Sequence, residues 1–359
     1  MLIYIFEYFM VFTFIAFSRT ILAENSGVSK VLSHYFYFIS STFLFLISAL
    51  RYEVGTDFFG YYNFINGVSI QDIKNFEILY NLLAIISKSI LNNGQFFIAV
   101  IAFLTIFNIS YSIYKLSPYA EISLIIFFGL GYYFNTFNAV RQYLAISLII
   151  LAISFWYNEK KRLGLLMLIP PILIHFSSLI FVVIFIMLNL IKENKIIYTF
   201  FMLLIILSSL VLYMKPSLFY DFIFIRDYRF YLESEFVKVG ANFIWVILEV
   251  IILLFYAFFN HKSKVFHQRN NLLDLAVPFS LLSIIFSFFG LRGMLFNRLA
   301  LYFNIFHIFF IPLTIKNIQD SFTRRLVYLI IVIVAFFGMM LFLERGLAGV
   351  VPYKTFLSK

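Results

Sequence analysis

The sequence predicts an all-α, polytopic integral membrane protein, on three observations. Hydrophobic residues make up 63% of the 359-residue chain and charged residues only 12%, about half the charged share of an ordinary soluble domain. The apolar residues fall in long unbroken runs, unlike the short alternating segments of a membrane β-barrel. Lysine and arginine collect in short loops between those runs, as expected of cytoplasmic connections.

A crossing helix needs about 20 mainly apolar residues. On that measure spans are expected near 2–18, 35–50, 96–114, 119–134, 139–157, 196–214, 240–259, 271–290, 296–315 and 324–343, ten in all. The first run lacks a basic start and carries Glu7, so it reads as a retained span, not a cleaved signal. Residues 76–91 form a shorter run interrupted by Glu77, Asn81 and Lys88, expected to be an interfacial or re-entrant helix. No linker, tandem repeat or second domain stands out, and residues 1–359 read as one membrane domain.

The stretch 163–190 is too long for one simple span and contains Pro170-Pro171, followed by His175. It reads as a re-entrant helical hairpin, because broken backbone at membrane depth must be buried in protein or line a wet cavity. The basic loops support that choice. Those at 158–162, 191–195, 260–270 and 316–325 all fall on one side if 163–190 turns back, and on opposite sides if it crosses. With the turn, both termini face outward. Arg51, Arg141, Arg226, Arg229, Arg292, Arg298 and Arg345 then lie at the outer face. These are seven of the twelve arginines, placed where the positive-inside rule does not call for them.

Arginine grips phosphate with two parallel bonds, so arginines converging from several spans suit a pyrophosphate or another polyanion. Arg226 and Arg229 are at i, i+3 and share a face if 215–239 is helical; lipid-phosphate anchoring is the alternative. Asp57 follows Arg51 across a turn at Gly55. It reads either as a general base or as an ion-pair partner of Arg51 or Arg141, with Glu53 and Glu77 as alternative bases. His175, beside a helix break, reads as a site residue or as a hydrogen-bonded structural one. Glu249 in mid-span and Asp274 suggest a helix–helix hydrogen bond more than a proton path. No His, Asp or Glu spacing suits a metal, and the absence of cysteine removes thiolate ligands and disulfides. No cofactor is expected. The basic residues form no continuous stripe, so no nucleic-acid partner is expected either.

An ordered set of motifs resembles a known family. These are Arg51-Tyr-Glu-Val-Gly-Thr-Asp57 with Tyr61-Tyr62, Val140-Arg141-Gln142 and Ile174-His175-Phe-Ser-Ser178, then Arg298-Leu-Ala-Leu-Tyr302-Phe303 and Val351-Pro352-Tyr353. The set is similar to the EpsG family of Wzy-type polymerases of bacterial surface polysaccharides, among them O-antigen (lipopolysaccharide) and capsule polymerases. The resemblance implies a glycosyltransferase at the outer face of the inner membrane. It would move a growing glycan from undecaprenyl pyrophosphate to the non-reducing end of the next lipid-linked repeat unit. The expected roles are Arg51, Arg141 and Arg298 on pyrophosphate and His175 or Asp57 near the acceptor hydroxyl. Arg226, Arg229, Arg292, Tyr61, Gln142 and Tyr302 would contact substrate. A chain-length regulator and a flippase of the same pathway are the implied partners, beside membrane lipid. A membrane O-acyltransferase and a lipid-linked oligosaccharide flippase are the competing readings.

Overall fold

The structure, a computed structural model, describes residues 1–22, 27–67, 76–191, 193–215, 243–260, 272–291 and 294–358. Its regular structure is helical, apart from one isolated antiparallel bridge between Arg51 and Thr355. Two compact units are formed, one by residues 1–178 with 311–359 and one by residues 179–310.

The first unit opens with α1 (Leu2–Leu22) and α2 (Gly27–Leu50), which pack on each other. Two short helices follow, α3 (Phe58–Asn66) and α4 (Ile78–Ile90). Asn93 starts α5 (Gly94–Leu116) by accepting the Gln95 N–H at 2.7 Å, which satisfies one of the donors every helix start leaves open. Next come α6 (Ala120–Gly129), α7 (Tyr132–Asn135), α8 (Val140–Tyr157), α9 (Lys161–Leu166) and α10 (Ile169–Ile174). The expected span at 119–134 is therefore broken. Gly131, at φ 73°, turns the chain between α6 and α7, a conformation glycine adopts without steric cost.

A correction also falls on the proline pair. Pro170 and Pro171 do not separate two half-helices; they stand in the first turn of α10, where a missing N–H costs nothing. The helical path is interrupted before them at 167–168 and after them at 175–177, where His175 is extended (φ −154°, ψ 106°). α11 (Ser178–Ile191) then begins. The histidine, not the prolines, marks the break.

The second unit holds most of α11, then α12 (Lys195–Met214), α13 (Phe243–Asn260), a 3₁₀ turn at Leu272–Leu275, α14 (Ala276–Gly290) and α15 (Met294–Asn304). Asn194 caps α12 by accepting from the N–H groups of Ile196 and Ile197, both at 3.1 Å. α16 (His307–Asn317) begins there and continues into the first unit. The expected 296–315 span is thus two helices, α15 and α16, parted at the buried Ile305 and Phe306. Phe181, Phe279, Phe303 and Phe306 pack as a ring cluster in this unit, with centroids 5.1–5.5 Å apart.

α17 (Ser321–Glu344) returns to the first unit, capped by Asp320 accepting the Thr323 N–H at 2.6 Å. It crosses α6 at very short range. A Cβ on Gly129 would lie 2.5 Å from the Ala335 Cα, and one on Gly338 would lie 2.6 Å from the Gly129 carbonyl oxygen. Small residues that let helix backbones touch are a recurrent membrane packing device. Gly129→Val should therefore lower stability by about 1–3 kcal/mol through overpacking. This is measurable as a fall in the unfolding midpoint of the detergent-solubilised protein, and an unchanged midpoint would contradict the crossing.

Five helical stretches among the described residues are long and apolar enough to cross a membrane. They are Gly94–Leu116, Val140–Tyr157, Leu272–Gly290, Phe296–Asn317 and Ser321–Glu344. The other apolar helices are shorter by that measure. The fold is all-helical and membrane-embedded.

Candidate functional site

The site residues of the first unit stand on a core where α3, α4, α5, α8 and α10 meet. Ile65, Tyr80, Ala84, Phe97, Ile101, Val140, Leu144, Ala145 and Ile174 form its buried centre. Fixed packing here matters, because the charged residues are attached at the ends of these helices.

Arg141 opens α8, His175 ends α10, and Glu77 immediately precedes α4. The core brings the three together. Arg141 Nη1 donates to Glu77 Oε2 at 2.7 Å. His175 Nδ1 lies 3.4 Å from Oε1, and the Phe176 backbone N–H donates to that oxygen at 3.1 Å. The Arg141 guanidinium also covers the Phe76 ring at 4.1 Å and lies 5.7 Å from the Tyr80 ring. Burial would raise the Glu77 carboxyl, but the close His175 ring, the Arg141 charge and the Phe176 N–H outweigh it and hold it at about 2. Glu77 is thus a fixed anion bonded to one cation, with an imidazole nitrogen 3.4 Å away.

Arg51 lies in a second cluster. It follows α2 directly, is 2% exposed, and sits over the Phe137 ring at 4.4 Å. Its Nε and Nη1 make no hydrogen bond. Burial pushes the guanidinium down to about 10, partly offset by Tyr4, Tyr133, Tyr61 and Tyr353, so it remains charged at neutral pH. The two clusters are neighbours. Tyr61 lies within electrostatic reach of Arg51 and of Tyr80, and Tyr80 within reach of Arg141 and Glu77.

A strap of the chain after α17 lies over the Arg51 loop. Tyr52 N–H donates to the Lys354 carbonyl and Gly55 N–H to the Gly349 carbonyl, both at 2.9 Å. The Tyr4 hydroxyl donates to the Val350 carbonyl at 3.0 Å, Tyr353 to the Ile47 carbonyl at 2.9 Å, and Asn138 Nδ2 to the Ala348 carbonyl at 2.8 Å. Lys354 and Glu53 pair at 2.6 Å. The fit requires Gly55 (φ 97°), where a Cβ would lie 2.7 Å from Asn138 Oδ1.

The family model for EpsG matches residues 34–355. The chain belongs to the EpsG family. No curated protein and no solved structure matches it. The EpsG family includes Wzy-type polymerases, so the chain is a polymerase-like membrane protein of polysaccharide biosynthesis.

Against the expectations for this EpsG protein, the structure redistributes the site residues. Arg141 and His175 meet, through Glu77, which the sequence offered only as a secondary base. Asp57 contacts neither Arg51 nor Arg141 as an ion pair; its Oδ1 accepts from the Thr56 hydroxyl at 3.1 Å. Gln142 is buried on α8, and Tyr61 lies beside Arg51. Arg298 and the buried Tyr302 belong to α15 in the second unit. Arg226, Arg229 and Arg292 lie outside the described residues. Among the described residues no group of His, Asp and Glu is arranged to hold a metal.

Proposed function

We propose that the protein is a Wzy-type polymerase that extends a surface polysaccharide from undecaprenyl-pyrophosphate-linked repeat units. The observation that carries this reading is the Arg141–Glu77–His175 constellation next to the buried Arg51. Transfer of a glycan from a lipid pyrophosphate leaves negative charge on the departing group, and fixed cations stabilise such charge strongly. Arg51 and Arg141 take that role; the family resemblance alone assigns Arg298 to the pyrophosphate and Arg226, Arg229 and Arg292 to the substrate. An acceptor hydroxyl must lose a proton, and an imidazole oriented by a carboxylate is a common solution. His175, beside Glu77, is accordingly better placed as the base than Asp57, whose carboxylate accepts from Thr56. Gln142, Tyr61 and Tyr302 are assigned to substrate contacts. The reaction is placed at the outer face of the bacterial inner membrane, with ten spans and a turn-back between 163 and 190. A flippase and a chain-length regulator are the expected partners.

The test is deletion of the gene and electrophoresis of the surface polysaccharide. A ladder that collapses to one repeat unit, restored by the wild-type gene, is expected. Loss of acyl groups at unchanged chain length would instead mark an O-acyltransferase. Stranding of the lipid-linked unit on the inner leaflet would mark a flippase. In complementation, His175→Ala should shorten the ladder further than Asp57→Asn; the opposite order would reassign the base.

A further inference from the structure

Arg51 poses a problem that its surroundings do not solve. A buried charge is costly unless paired, yet Nε and Nη1 are unbonded at 2% exposure. Among the described residues no carboxylate is within ion-pair distance of it. Glu7, the buried acid of the neighbouring helix, is held by the Tyr133 hydroxyl at 2.8 Å. The hydroxyls of Tyr4, Tyr133 and Tyr353 donate to the Val350, Leu44 and Ile47 carbonyls, Tyr133 also to Glu7, and none of these oxygens accepts from Arg51 Nε or Nη1. A cation kept at this cost, with open donors and an aromatic floor at Phe137, is a half-built anion site.

The strap is what closes the site. It has almost no regular structure of its own. It leaves α17 through left-handed residues at Gly346, Ala348 and Gly349, and Ala348 bears a side chain where such a backbone is uncommon. Its hold on the body is a row of single hydrogen bonds, the exposed Lys354–Glu53 pair, the Tyr353 ring edge-on to Tyr4, and one buried residue, Val350. A segment with one buried residue opens at lower free energy than the packed helices around it.

We propose that Arg51 is the binding site for a phosphate-bearing anion and that residues 346–355 form a gate which must lift to admit it. The proposal rests on the polymerase reading only for the identity of that anion as the pyrophosphate of a lipid-linked glycan. A lipid headgroup phosphate offers the same chemistry to the same donors.

The chain has no cysteine, so introduced thiols are unambiguous. The full-length protein in nanodiscs of zwitterionic lipid is titrated with inorganic pyrophosphate. Arg51→Met should weaken binding at least tenfold while leaving the unfolding midpoint unchanged or higher, because it removes an unpaired buried charge. A purely structural arginine would give a lower midpoint instead. The double variant Glu53→Cys/Lys354→Cys is then bridged by a short reducible bis-thiol reagent. The bridged protein should bind pyrophosphate at least tenfold more weakly, with recovery on reduction, and single-cysteine variants should not change. Equal binding by wild type and Arg51→Met overturns the site. Equal binding by bridged and reduced protein overturns the gate. Competition by phosphatidylglycerol assigns the anion to a headgroup, and lack of competition assigns it to the pyrophosphate. Binding needs no polymerisation, so Arg51-dependent binding with an unaltered ladder on gene deletion would sink the polymerase reading and leave this one standing.

Discussion

Arg141→Ala should abolish long-chain polymer while leaving the protein inserted in the membrane. The side chain is placed to act on two things at once. On the proposed mechanism it neutralises charge near the departing pyrophosphate, and in the structure it holds the Glu77 carboxylate, 3.4 Å from His175 Nδ1. Loss of one fixed donor to a developing oxyanion costs a factor of about 10²–10³ in rate. A processive polymer would then shrink to one or a few units on a gel. The loss should not be repaired by Lys, because a lysine cannot reproduce the fork that reaches Glu77 and stacks on Phe76. Glu77→Gln separates the two contributions. It keeps an acceptor for Arg141 but removes the anion behind His175, so the pH dependence of chain length should change with the ladder. Full-length ladders in both variants, at normal protein levels, would remove this constellation from the mechanism.

The Glu77 carboxyl also sets a pH limit. Its folded-state value is depressed to about 2, against about 4.3 for an unperturbed glutamate. A depressed carboxylate stabilises the folded protein fully above its unfolded value, and the contribution disappears as pH falls from about 4 to about 2. Loss of activity on acidification above pH 4 must therefore come from another group.

Much of the helical frame was legible in the apolar runs, since a run of that length has little choice but to satisfy its backbone internally. The breaks were not. Nothing in Asn304-Ile-Phe-His307 signals that α15 stops and α16 starts, because no glycine or proline stands there. Pro170-Pro171, which do signal a break, begin a helix instead. Among the site residues, Arg141 and His175 were recognisable singly, but their junction was not. Glu77 is 64 positions from Arg141 and 99 from Phe176, and no periodicity links residues brought together by tertiary packing. The strap was less visible still. Its one mark is Val351-Pro352-Tyr353 in the motif set, where the Tyr353 hydroxyl donates to the Ile47 carbonyl; its other contacts run through backbone carbonyls at 348–350 and 354, which any residue type supplies.

His307→Ala should be among the most destabilising single substitutions in the second unit, at about 3–5 kcal/mol. Within that unit His307 Nε2 lies 2.8 Å from Glu249 Oε2, and the Tyr256 hydroxyl lies 2.8 Å from Nδ1. One arrangement of protons satisfies all three groups, with Nε2–H donating to the carboxylate and the tyrosine donating to Nδ1. The histidine is fully buried and Glu249 nearly so. Hydrogen bonds between membrane helices contribute modestly, on average about 0.6 kcal/mol, because the unfolded chain in the bilayer finds other partners. Tyr256→Phe should fall in that range. Removing His307 is different in kind, since it strands a buried carboxylate without its donor, and breaking such a pair costs several times more. Glu249→Gln, which keeps an acceptor, should be milder, and the His307→Ala/Glu249→Ala pair should cost less than the sum of its parts. Unfolding midpoints of the four variants in one detergent decide the matter. If His307→Ala is no worse than Tyr256→Phe, the pair is an ordinary hydrogen bond, and the mid-helix acid is then retained for something other than holding α13 to α16.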